Sequence, residues 1–200
     1  MIPMRLLSFP LLFLLCFTET PSRLIEDMLR MTTVDLPRIE MRGSTEGPSP
    51  TPVILSYDPS RDEVLFAIGA EKRILSGDRI PLWMRLFFNP KSTDKPSDRA
   101  AAFLSYLAKH GIAVDKKMIT TTGTEGDLLF AIGRSSAHET GPCLFFYRTS
   151  RLPYRLVMEE NDILFEEYHR SILPLAFPGR ITITEKGQTT IYRFVRDEYR

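Results

Sequence analysis

Apolar residues recur along this chain with two different periods. In residues 22–31, Leu24, Ile25, Met28 and Leu29 fall three and four apart, on one face of a helix. The same spacing returns after residue 97 with Phe103, Leu104, Leu107 and Ala108. Ser97 or Asp98 stands ready to cap that helix, and Gly111 sits where glycine closes one. Residues 81–88 (PLWMRLFF) are apolar nearly throughout, hold the single tryptophan, and place Pro81 where a first helical turn accepts proline. They too are predicted to be helical.

The rest reads as strands. Residues 36–41, 53–57, 63–68 and 72–75 are short β segments, and Asp58-Pro59-Ser60-Arg61-Asp62 turns the second into the third as a hairpin. Residues 43–52 (GSTEGPSPTP) read as a loop. From residue 112 a β-meander follows, with strands at 114–121, 128–133, 143–148, 154–159, 163–168, 180–184 and 189–195. Glu185-Lys186-Gly187-Gln188 is the hairpin turn between the last two. One local echo stands out, because Phe66-Ala67-Ile68-Gly69 recurs as Phe130-Ala131-Ile132-Gly133. Many short strands with turns between them predict a mainly β (α+β) chain, folded as a barrel, a sandwich or a strongly curved sheet.

The N-terminus changes the picture. Arg5 precedes an apolar run over residues 6–17, which is shorter than the roughly 20 residues needed to span a bilayer and matches the core of a secretory signal. The expected organisation is a signal peptide at 1–22 and one domain at 23–200, with cleavage after Thr18 or Ser22, where small residues precede the cut. Cys16 follows Leu14 and Leu15 rather than the small residues that lipid attachment favours, so lipidation is not expected. Cleavage leaves Cys143 as the sole thiol, which rules out an internal disulfide in the mature domain. Basic and acidic residues nearly cancel at 26 and 25, which gives no general attraction to nucleic acid or anionic membrane.

Candidate chemistry is sparse. His110, His138 and His169 are scattered, and Glu167 with His169 lacks a second motif to complete a metal site. No nucleophile elbow, dinucleotide-binding glycine motif, phosphate loop or zinc-protease helix occurs. No enzyme, cofactor, metal or nucleic-acid partner is therefore expected. What remains is apolar surface. Most of it must form a core, yet a meander with few helices leaves a concave face that short helices can cover. Phe66, Ile68, Trp83, Phe87, Phe103, Leu107, Phe130, Tyr147, Leu156 and Phe165 are the candidates to line a cavity there. Such a cavity suits acyl chains, since each buried methylene is worth about 0.8 kcal/mol.

Three C-terminal segments carry a family resemblance. They are Leu144-Phe145-Phe146-Tyr147 with Arg151-Leu152-Pro153-Tyr154-Arg155-Leu156, then Ile163-Leu164-Phe165-Glu166-Glu167-Tyr168, then Leu175-Ala176-Phe177-Pro178-Gly179-Arg180-Ile181-Thr182-Ile183. Their order resembles the LolA/LolB-like lipoprotein-sorting family. The resemblance implies a curved antiparallel sheet forming an incomplete β-barrel with a few covering helices. It also implies a periplasmic, monomeric carrier or chaperone for acylated lipoproteins or another lipid, without catalysis or cofactor. The alternative is an envelope interaction module whose interior is filled by its own side chains and which docks a protein partner.

Overall fold

A computed structural model describes residues 19–34, 36–169 and 176–195, so most of the expected signal segment, residues 1–18, lies outside the described residues. Helix α1 is Pro21–Thr32, capped at its start by Thr20, and a two-residue strand β1 (Thr33–Val34) follows it. Then come β2 (Ile39–Thr45), β3 (Pro52–Asp58), β4 (Glu63–Ile68) and β5 (Glu71–Ser76). A 3-10 turn (Gly77–Arg79), α2 (Leu82–Arg85), a short β6 (Asn89–Pro90) and α3 (Pro96–Lys109) form the middle of the chain. The meander is β7 (Ile119–Thr122), β8 (Leu128–Ile132), β9 (Cys143–Tyr147), β10 (Pro153–Val157), β11 (Asn161–His169), β12 (Phe177–Glu185) and β13 (Gln188–Val195).

Eleven of these strands make one antiparallel sheet in the order β5-β4-β3-β2-β13-β12-β11-β10-β9-β8-β7. The sheet does not close: β5 and β7 are its two edges. It is the incomplete barrel with covering helices that the sequence pattern and resemblance led one to expect. The last strand pairs back onto β2, with Phe194 opposite Gly43 and Tyr192 opposite Thr45, so the N-terminal hairpins and the C-terminal meander become one surface. The FAIG echo acquires a structural meaning. β4 and β8 each lie next to an edge, and Gly69 and Gly133 end them at positive φ, 57° and 107°.

Period-two alternation gives the sheet unlike faces. Leu55, Phe66, Leu144, Phe146, Leu156, Ile163, Phe165 and Ile181 turn inward, where they pack with α1, α2 and α3 in one core cluster. α1 and α3 also pack on each other. The opposite face carries a smaller cluster of Leu129, Ala131, Cys143, Phe145 and Tyr154. It also carries ion pairs such as Arg180–Glu166 (3.1 Å) and Arg193–Glu167 (2.8 Å).

Three expectations need correction. Residues 43–52 are not all loop, because β2 continues through Thr45. A Cβ at residue 43 would stand 2.0 Å from the Arg193 carbonyl oxygen, so this glycine marks a close approach of two strands rather than a turn. The strand expected over 114–121 shrinks to Ile119–Thr122. Val114 and Met118 pack on the core, and Lys116 pairs with Glu139, so the preceding residues serve as a loop. The helix expected over 81–88 is regular only through Leu82–Arg85. Leu82, Trp83, Met84, Leu86, Phe87 and Phe88 are all buried, which makes this segment an inserted plug rather than an amphipathic cover.

Candidate functional site: the inner apolar face

The plug reaches the sheet through rings. Trp83 meets Phe66 edge-on with centroids 6.3 Å apart, and Phe66 in turn meets Tyr192 at 5.9 Å. Phe87 contacts Phe165 at 5.1 Å, Phe177 at 5.2 Å and Tyr168 at 6.3 Å. Phe88 lies 5.3 Å from Tyr57 and 5.7 Å from Phe177, whose ring is 5.3 Å from Phe194. Edge-on and tilted pairs of this kind add about 0.5–1.5 kcal/mol each beyond burial. The α2 segment is therefore held by an aromatic array that spans the interior from β4 to β11 and β12.

Polar contacts fix the plug at its rim. Arg85, half-buried, donates to both carboxylate oxygens of Asp62 at 2.6 Å and to the Gly77 carbonyl at 3.0 Å. Tyr57 donates its hydroxyl to Asp62 at 3.1 Å. Arg85's hydrogen bond holds the Asp62 carboxyl below its usual range against the opposing effect of burial. Burial, with the Asp62 charge beside it, pushes the Tyr57 phenol well up. Asn89 donates to the Arg85 carbonyl at 3.0 Å and to Thr32 at 3.3 Å, which links α2 to the end of α1.

Nine of the ten expected lining residues belong to this inner side. Phe87, Leu107, Leu156 and Phe165 are fully buried or nearly so, and Trp83, Phe103 and Phe130 are each 8% exposed. Phe66 and Ile68 are half-buried against the same core. Phe103 sits on α3 beside Tyr106, away from the Phe87 rings. Phe130 lies toward the β7 edge, under the Arg151 guanidinium at 4.9 Å. Tyr147 is on the other face. Phe146 points inward, so its neighbour packs with Tyr154 at 5.0 Å in the outer cluster, where burial pushes its phenol up to about 12. Residues 144–147 are all apolar, and an unbroken run hides which positions face in. Leu55, Tyr57, Phe146, Phe177 and Tyr192 belong to the inner face and were not among the sequence candidates. Ser56 between Leu55 and Tyr57, and Arg193 between Tyr192 and Phe194, were the available signals for Leu55, Tyr57 and Tyr192.

A cleft of about 330 Å³ opens between α1, α3 and the segment after α2, lined by Leu29, Arg85, Asn89, Asp98, Phe103 and Tyr106. It touches one of the ten candidates, Phe103. Another, of about 180 Å³, lies on the outer face against Phe145 and Tyr154. Among the described residues no group of three or more His, Cys, Asp or Glu side chains gathers to hold a metal, and no described helix is long and apolar enough to cross a membrane. The His169 side chain lies outside the described residues, and Glu167 pairs with Arg193.

No protein-family model matches the chain, and no curated protein does. Two solved structures align with it over nine-tenths of its length. One is a LolA superfamily protein from Nitrosomonas europaea, 12% identical, covering 90% of this chain and 95% of that one, with a TM-score of 0.45. The other is a putative outer membrane lipoprotein-sorting protein domain from Vibrio parahaemolyticus, 8% identical, covering 90% and 92%, with a TM-score of 0.48.

Proposed function

We propose that this protein is an exported carrier that takes the acyl chain of a lipid or lipoprotein onto the inner face of its sheet, in place of the α2 aromatic plug. One observation carries the reading. The sheet's apolar face is covered by helices, with the short inserted α2 segment among them held at its rim by a few side-chain hydrogen bonds, and not by a second sheet. An alkyl chain offers Phe165, Phe177 and Phe66 the same apolar contact that Phe87 and Trp83 give them, so the sheet's own face loses little apolar burial in the exchange. The resemblance of residues 144–183 to the lipoprotein-sorting family points the same way. The mature protein, purified from its native host and extracted for mass spectrometry, is expected to yield lipid and, once stripped, to take up a fluorescent fatty acid. Lipid-free protein with no uptake refutes the reading.

The ring contacts favour a second reading directly. Because Phe87 and Trp83 meet the sheet's own rings, the interior also suits an envelope interaction module that needs no ligand and docks a protein partner. In that case fatty acid leaves the protein's unfolding midpoint unchanged.

A further inference from the structure

We propose that the chain matures by cleavage between Thr18 and Glu19, and that Glu19 and Thr20 are working parts of the folded protein. The inference rests on the export reading above. Three bonds near the end of the leader follow small residues at the first and third positions before the cut; one of them, Thr20–Pro21, is a tertiary amide with proline directly after the cut, which peptidases cleave poorly, and that leaves two. Thr18–Glu19 is preceded by Thr18 and Cys16, and Ser22–Arg23 by Ser22 and Thr20.

The structure separates the two. Thr20 is the N-cap of α1, extended at φ −115° and ψ 153°. Its hydroxyl oxygen accepts from the Arg23 amide at 3.3 Å, and its carbonyl accepts from the Leu24 amide at 3.1 Å. Pro21 holds the first helical position, where its missing N–H costs nothing. The Ser22–Arg23 bond is thus inside the first turn of α1. Cutting it removes the cap and that turn, and it places a new ammonium at the positive end of the helix dipole.

Glu19 supplies a second, independent observation. Its carboxylate, 14% exposed, pairs with Arg151 in the β9–β10 turn, and that guanidinium simultaneously covers the Phe130 ring. Arg151 itself sits at φ 61°, a left-handed conformation. This clasp ties the start of α1 across the inner side to the far flank of the sheet. Loss of Glu19 leaves a mostly buried guanidinium without this carboxylate. None of these contacts uses a residue before Glu19, so cutting the Thr18–Glu19 bond keeps every one of them.

The test uses the full chain with its own N-terminus, produced in a Gram-negative host and recovered from the periplasm. N-terminal sequencing and intact mass are expected to give Glu19 as the first residue. A chain starting at Arg23 overturns the inference and leaves export standing. A chain that keeps Met1 overturns both. Thr18→Phe puts a bulky side chain before the proposed bond without altering any of the contacts above. It is expected to accumulate as precursor, and processing of this variant at the wild-type rate overturns the proposal.

Discussion

Replacing Phe87 by alanine removes the ring at the centre of the inner aromatic array. Phe87 is fully buried and contacts Phe165, Phe177 and Tyr168. Those three rings sit on β11 and β12, whose inner faces are fixed by sheet pairing, so they cannot collapse fully into the space. A buried Phe→Ala change of this type costs about 3–5 kcal/mol, a large part of the roughly 5–15 kcal/mol that holds a domain together. With a urea dependence of about 1–3 kcal/mol per molar, the unfolding midpoint should fall by about 2 M, read by far-ultraviolet circular dichroism. The vacated space is apolar and walled by the rings of Phe165, Phe177 and Tyr168. Dodecanoate should therefore raise the midpoint of Phe87→Ala, by about 2.7 kcal/mol at a hundredfold excess over its dissociation constant. Phe145→Ala, on the outer face, is the control and should gain nothing. A loss below about 1 kcal/mol for Phe87→Ala refutes the packing argument. An equal gain in the control refutes the assignment of the site to the inner face.

Three further outcomes follow from the geometry. Gly43→Ala should prevent soluble expression or cost well over 2 kcal/mol by thermal melting, because its Cβ meets the Arg193 carbonyl at 2.0 Å, whereas Gly47→Ala, strained by its φ of 147° but with nothing within 4 Å, should cost less and still fold. Asp62 has a depressed folded pKa, so its contribution is present above about pH 4, the value of an unfolded aspartate, and is lost as pH falls through the lower folded value. Asp62→Asn should lower stability at pH 7 by about 1–2 kcal/mol, allowing for a carboxylate about a third exposed, and should flatten that acid-side slope in pH-dependent melts. The Cys143 thiol is buried and pushed up to about 12 by desolvation, so peptide mapping after iodoacetamide treatment at pH 8 should find it unmodified until the protein is unfolded.

Much of the fold was legible because its segments carry clean periodicity. The spacing of Leu24, Ile25, Met28 and Leu29 marked α1, the turn at residues 58–62 fixed the β3–β4 hairpin, and Glu185-Lys186-Gly187-Gln188 fixed the β12–β13 hairpin. What stayed hidden depends on contacts between distant parts of the chain. Gly43 reads as a loop residue until the carbonyl of Arg193, 150 residues later, is seen to need its missing side chain. Residues 81–88 read as a covering helix, although a segment apolar nearly throughout already signals burial on every side. The inward phase of β9 could not be read from four consecutive apolar residues, which put Tyr147 among the candidates in place of Phe146. The Asp62–Arg85 latch joins residues 23 apart, from a turn and a short helix, and no motif announces it.

The central claim is that an acyl chain enters where α2 now packs. Trp83, the protein's only tryptophan, sits at that point, 8% exposed and edge-on to Phe66. Titrating a brominated fatty acid into the mature protein while following tryptophan emission reads the site without labelling. The account predicts a saturable red shift of the emission with the brominated acid and with its unbrominated counterpart alike, because the indole leaves its buried place beside Phe66 for water as the chain takes that place. Emission that stays constant, from protein verified to be lipid-free and folded, contradicts it.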